Sequence, residues 1–272
     1  IGAEGGNGIG VSGVVPKVSL MALKYFDPKS PGNNNLMNTV RALKYAIDMN
    51  ADVINYSGGG LEQSEAEKRL IKQAEKKGIL VVAAAGNESS NSDVKGYYPA
   101  DYEMSNIISV TAIDQGKNVL TSSNYGTKSV DIAAPGNNIY STLPGGKYGY
   151  MTGTSQATAF VTGVAVLLKA RFSDFDAEKI IKHITETGDL DLRLAGKTRY
   201  RKRLNTYRAL AILDQNVGVT GVIATNANSM DHRAFASDAN INHQYLTEQN
   251  DTIGFQKQMS DLAQVITAVG KR

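Results

Sequence analysis

The segment Gly153-Thr154-Ser155-Gln156-Ala157-Thr158-Ala159 sets a serine where a glycine-bearing turn gives way to a long apolar run. A hydroxyl there lies near the positive end of a helix dipole, and the free N–H groups of the first turn are available to a developing oxyanion. That is nucleophile chemistry. Serine is also a favoured N-cap, and most serines at helix starts only cap, so this segment alone favours capping. It is not a Gly-x-Ser-x-Gly elbow either, because Gln156 and Ala157 follow the serine. A second segment, Ala83-Ala84-Ala85-Gly86-Asn87, ends an apolar run with an amide. The amide falls just past the carboxyl end of an expected parallel strand, where open α/β sheets place their ligands. Asparagine after glycine is usually a turn residue. Paired with the Ser155 backbone N–H, however, it would supply the two donors of an oxyanion hole. The two segments together are far more specific than either alone. A third, Asn55-Tyr56-Ser57-Gly58-Gly59-Gly60, leaves a strand end almost free of side chains. An extended peptide can pair with such backbone, and Gly and Ala leave room for its side chains. A plain glycine loop would read the same way.

Other candidates carry less. Gly8-x-Gly10-x-x-Gly13 has the spacing of a dinucleotide loop, but no strand precedes it and Pro16 follows, so its glycines read as turn residues. His183, His232 and His243 all come after Ser155 and read as solvated surface residues. Arg193, Lys197, Arg199, Arg201, Lys202 and Arg203 have no acid among them and read as a solvated turn and strand edge. A net charge of +3 does not argue for nucleic acid. With no cysteine, disulfides and thiolate metal sites are excluded. No apolar run reaches the 18 or so residues of a membrane span. The start at Ile1, without Met, leads us to expect an N-terminal part beyond this sequence.

The elements that must position these residues follow from periodicity. Strands are expected over 18–25, 52–56, 79–85, 107–113 and 130–134, and helices over 36–50, 62–77, 176–187 and 206–213. Gly145-Gly146 should join two short strands. The stretch 155–170 is apolar on nearly every side, which predicts a helix buried inside the domain. The alternation implies an α/β fold with a mostly parallel sheet and helices on both faces. At 272 residues, 42% of them apolar, one main domain is expected. It should cover 1–213. After Asp214 the composition turns to Asn, Asp, Ser and Gln, and 214–272 reads as an extension of unknown role with one helical stripe at 252–269.

The order of pieces carries a resemblance. The Gly-rich segment before Pro16, Val53 to Gly59, Ala83 to Asn87, Tyr98-Pro99-Ala100, Asp131 to Gly136, Ser141 to Gly145 and Gly153-Thr154-Ser155 together resemble the subtilase family of serine peptidases over roughly 1–213. The resemblance implies a three-layer subtilisin-like fold and a secreted, extracellular or periplasmic, monomeric endopeptidase acting on polypeptides. Ser155 would be the acyl-forming nucleophile and Asn87 the oxyanion donor. Ser57, Gly58 and Gly59 would form one wall of the primary specificity pocket, and Ala84, Ala85 and Gly86 the other. Subtilases order their triad Asp, His, Ser, so the missing Asp and His are expected upstream of Ile1, and this chain alone should hydrolyse peptides very poorly. The alternative is an inactive subtilase-like module that binds extended peptides. Gln156 stands where the family has Met and Ala159 where it has Pro, changes that leave the helix start intact. The loop 5–11 resembles a family calcium loop, with Gly5, Asn7, Ile9 and Val11 as oxygen ligands. Asp131, with carbonyls near Ala100 and Tyr102, is a second and weaker cation candidate. Glu88 at the pocket rim would favour a basic substrate residue, whereas Tyr97 at the floor would shorten the pocket.

Overall fold

The computed structural model describes residues 1–27, 29 and 32–212. The chain divides into a unit of residues 1–210 and a remainder of 211–272. The stripe at 252–269, His232 and His243 lie outside the described residues.

Helix α1 (Gly32–Asp48) leads to strand β1 (Val53–Tyr56), helix α2 (Glu65–Lys76) and strand β2 (Leu80–Ala84). Helix α2 starts three residues later than its apolar spacing suggests, because the Ser64 side chain caps it by accepting from the Glu67 N–H. It ends at Gly78, whose φ of +70° reverses the chain without a Cβ penalty. Strands β3 (Ile107–Ile113) and β4 (Ile132–Pro135) follow. Next come a hairpin of β5 (Ile139–Leu143) and β6 (Lys147–Met151), helices α3 (Thr154–Arg171) and α4 (Ala177–Thr187), strands β7 (Asp189–Leu190) and β8 (Lys202–Arg203), and helix α5 (Thr206–Ala211). The sheet order is β1-β2-β3-β4-β8-β7, parallel from β1 through β8, with β7 antiparallel.

Val81 and Ala83 of β2 pack with Leu43 and Ile47 of α1 and Leu70, Ile71 and Ala74 of α2. Side chains alternate along a strand. Leu80, Val82 and Ala84 therefore face the other way, and they are just as buried. Helix α3 packs against β1, β2, β3 and β4 to cover that side. As its all-round apolar sequence predicts, Ala157, Val161, Val164, Ala165 and Leu168 are fully buried. Losing a side chain such as Leu168 would cost about 2–5 kcal/mol. Among the described residues no helix is long and apolar enough to cross a membrane.

One expectation changes. Residues 18–25 form no strand. Their pattern suits one, but a strand exists only where a neighbour takes its N–H and C=O groups. Among the described residues β1 is the sheet's edge and pairs only with β2, and Leu20 is 63% exposed. The basic cluster is less free than its composition suggests. Arg193 forks onto Asp191, Arg203 pairs with Asp189 at 2.8 Å, and Arg199 lies 3.5 Å from Asp131. Lys202 donates to the Glu186 carbonyl, and Lys197 sits over the Tyr125 ring.

Candidate active site

Helix α3 opens at Thr154 with Gly153 as its N-cap, and no side chain caps it. Ser155 therefore lies inside the first turn rather than at the cap. Its hydroxyl donates to the Ser57 carbonyl at 2.9 Å, and the Ser57 hydroxyl donates back to the Ser155 carbonyl at 3.2 Å. This reciprocal pair binds the helix start to the chain leaving β1, and the capping reading no longer accounts for Ser155. A peptide carbonyl holds a proton but does not accept one, so ionising Ser155 requires a base from elsewhere.

Asn87 follows β2 as expected. Its Oδ1 accepts from the Thr154 N–H at 3.0 Å and from the Thr154 hydroxyl at 3.2 Å. With that acceptor engaged, the Nδ2 group is the donor left to face a ligand beside the helix start. Gly86, just before it, has a φ of +102°, a conformation open to glycine.

Sequence reading missed the residues that hold this geometry. Asn124 is fully buried. Its Oδ1 accepts from the N–H groups of Glu88 and Ser90, both at 3.0 Å. Its Nδ2 donates to the Ala85 carbonyl at 2.8 Å and to the Glu88 carboxylate at 2.7 Å. Asn124 thus staples the turn that carries Asn87. Thr162 on α3 donates to Asn55 Oδ1 at 2.8 Å, and Asn55 Nδ2 donates to the Ser57 hydroxyl at 2.9 Å. That line of bonds fixes the end of β1 against α3. Ser-Ser-Asn-Tyr-Gly around Asn124 has only the look of a turn, and no local signal marks its amide as buried.

β1 and β2 run in register with Tyr56 opposite Ala83, so 57–59 and 84–86 leave the sheet side by side at the carboxyl ends of neighbouring strands. Ser57, Gly58 and Gly59 thus run beside Ala84, Ala85 and Gly86, the two stretches that the resemblance names as pocket walls. Gly60 exchanges two backbone hydrogen bonds with Tyr98, at 2.9 and 2.8 Å, which brings Tyr97 to these strand ends. A Cβ added to Gly59 would lie 2.4 Å from Tyr97 Cε1, and one added to Gly86 would lie 2.9 Å from Tyr97 Cδ2. Burial pushes the Tyr97 hydroxyl up to about 12, with the Glu88 carboxylate and Tyr25 adding to it.

His183 is buried, not solvated. Its Nε2 lies 2.7 Å from the Ala209 carbonyl and its ring packs on Phe172 and Phe175, because α5 and the α3–α4 corner close over that face of α4. With its ring held there, it is a packing residue and not a partner of Ser155.

In the loop 5–11, Gly6, Gly8 and Gly10 have φ values of +78°, +70° and +59°. Asn7 Oδ1 accepts from the Ile9 N–H at 3.0 Å, and Gly5, Asn7, Ile9 and Val11 line one hollow together with Glu4. Neutral oxygens of this kind suit a hard cation. Among the described residues no group of three or more His, Asp or Glu could hold a metal. Asp131 already accepts from the Ser109 N–H at 2.9 Å, and burial pushes its carboxyl up to about 6. Asp101 accepts from the Tyr97 N–H at 2.6 Å through Oδ2, while its Oδ1 is buried without a partner. Burial pushes Asp101 up to about 7.

Residues 1–219 match the subtilase family model. The chain is 37% identical to the thermophilic serine proteinase of Bacillus sp. (strain AK1) over 76% of its own length and 49% of that protein's. It is 37% identical to thermitase of Thermoactinomyces vulgaris, covering 75% of this chain and 69% of thermitase. To subtilisin E of Bacillus subtilis it is 42% identical, over 61% of this chain and 42% of that protein. The chain thus spans about half the length of most of these relatives. Among solved structures, the self-cleaved protease domain of PatA aligns with a TM-score of 0.56 at 28% identity, covering 64% of this chain and 66% of that one. The prenylagaramide maturation protease PagA aligns with the same TM-score at 25% identity, covering 64% and 66%. On this family match and these identities, the chain belongs to the subtilase family.

Proposed function

We propose that this chain is the nucleophile-bearing part of a secreted serine endopeptidase. Ser155 Oγ attacks the peptide carbonyl carbon and passes its proton to a histidine supplied, with its orienting aspartate, by chain upstream of Ile1. The carbonyl oxygen takes the electron pair and is held by Asn87 Nδ2 and the Ser155 N–H. Collapse expels the amine, which takes the proton, and water then releases the acyl group from Ser155. The observation that supports this reading is the clamp of Thr154 on Asn87 Oδ1, which engages the acceptor of the amide at the start of α3 and leaves its N–H₂ as a donor. The loop of Gly5, Asn7, Ile9 and Val11 would hold calcium as a structural ion, through carbonyls and Asn7 Oδ1.

The test is covalent labelling of the full-length protein with a fluorophosphonate, alongside hydrolysis of unmodified peptides. Both should occur in the wild type and vanish in Ser155→Ala. A full-length protein that binds extended peptides but neither labels nor cleaves them would replace this reading with that of a peptide-binding module.

A further inference from the structure

We infer that Tyr97 fills the side-chain pocket between Gly59 and Gly86, so that the substrate residue giving up its carbonyl to Ser155 must be small: Gly, Ala or Ser. This deepens the peptidase reading and rests on it for the word substrate. The two walls converge on one ring. The atom nearest a Cβ on Gly59 is Tyr97 Cε1, and Tyr97 Cδ2 is within 2.9 Å of a Cβ on Gly86. Those carbons are on opposite sides of the phenol, so the ring spans the gap from wall to wall. At Gly59 the ring is the nearest neighbour of an added Cβ, and at Gly86 it shares the space with Asn124 Nδ2 and Glu88 Oε2, so neither glycine leaves its room open to a guest side chain.

The backbone beneath the ring is held in place. Gly60 and Tyr98 fix the chain on one side of Tyr97, and the Asp101 N–H donates to the Tyr97 carbonyl at 3.0 Å while Asp101 Oδ2 takes the Tyr97 N–H. Those bonds fix the backbone that carries the ring, so the ring can leave the gap only by changing its side-chain rotamer. At the neighbouring wall position, a Cβ on Gly58 would lie 2.3 Å from the Tyr25 hydroxyl, so a second phenol crowds the same mouth. Glu88, the group that would attract a basic residue, has its carboxylate bound by Asn124 Nδ2 at 2.7 Å. That bond leaves the carboxylate charged, so a basic residue is attracted but excluded by its size, and any bulky guest faces the cost of overpacking.

The experiment compares kcat/KM of the full-length protein on peptides identical except for the acyl-side residue, set to Ala, Ser, Leu, Phe or Arg. Ala should exceed Phe on the order of 100-fold. Tyr97→Ala should raise the Phe-to-Ala ratio at least about tenfold, whereas Tyr97→Phe, which keeps the ring, should keep the wild-type ratio. Tyr97 is anchored through its backbone, so both variants retain those bonds. A wild type that cleaves after Phe or Arg as fast as after Ala overturns the inference, as does a Tyr97→Ala variant with an unchanged ratio. If no peptide is cleaved, the peptidase reading fails, and calorimetric binding of peptides ending in Ala or Phe decides the pocket by itself. Tighter binding of the Ala-ended peptide supports the filled pocket. Equal or tighter binding of the Phe-ended one, or of neither, overturns it.

Discussion

Replacing Asn124 by Ala should separate what holds the candidate site from what performs its chemistry. The Asn124 amide makes four hydrogen bonds, to the N–H groups of Glu88 and Ser90, the Ala85 carbonyl and the Glu88 carboxylate. Each is worth about 1 kcal/mol net, and more where a charged partner is involved. Truncation also leaves the carbonyl of fully buried Ala85 without this donor. The sum is about 3–5 kcal/mol, a large share of the roughly 5–15 kcal/mol that holds a typical domain folded. Urea unfolding read by circular dichroism measures it directly, with Asn118→Ala, an exposed change, as the control. In the full-length protein the loosened turn should also misplace Asn87 and lower kcat on the order of 100-fold, with KM changed little. A stability loss under about 1 kcal/mol would refute the idea that Asn124 staples this turn. A raised KM with unchanged kcat would refute its link to Asn87.

Asp101 gives a pH-dependent case. Its carboxyl is raised from 3.8 to about 7, so between those values the folded protein holds a proton that the unfolded chain has released. Stability from this group is therefore greatest below about pH 4 and is lost as pH rises toward 7. Asp101→Asn should raise the unfolding free energy at pH 8, read from a higher urea midpoint, by about 1–2 kcal/mol once solvent screening of this partly exposed side chain is allowed for, and leave it unchanged at pH 4. An equal or lower midpoint at pH 8 would contradict the burial argument. For the calcium loop, millimolar Ca²⁺ should raise the melting temperature of the wild type, and Asn7→Ala should remove most of that gain. Equal responses in the two proteins would rule out Asn7 as a ligand.

Much of the architecture is written locally. The 3.6-residue spacing of α1 and α4, the β-branched runs of β2 and β3, and the turn glycines Gly78, Gly145 and Gly146 each involve only near neighbours, and each forms as expected. The ordered motifs likewise mark Ser155 and Asn87 and imply the family, because chemistry at strand ends and helix starts demands residue types that chance seldom arranges in that order. What only the tertiary structure decided are contacts between distant parts of the chain. Residues 18–25 have a strand's pattern but pair with no strand among the described residues. Ser155 bonds to Ser57, 98 residues away, instead of capping its own helix. Asn124 reaches 39 residues back to Ala85. His183 is dry because Phe172, Phe175 and Ala209 close over it. Gly59 and Gly86 make the same point. The resemblance already set Tyr97 at the pocket floor, but that its ring lies against Gly59, and against Gly86 together with Asn124 and Glu88, is decided by packing between distant parts of the chain.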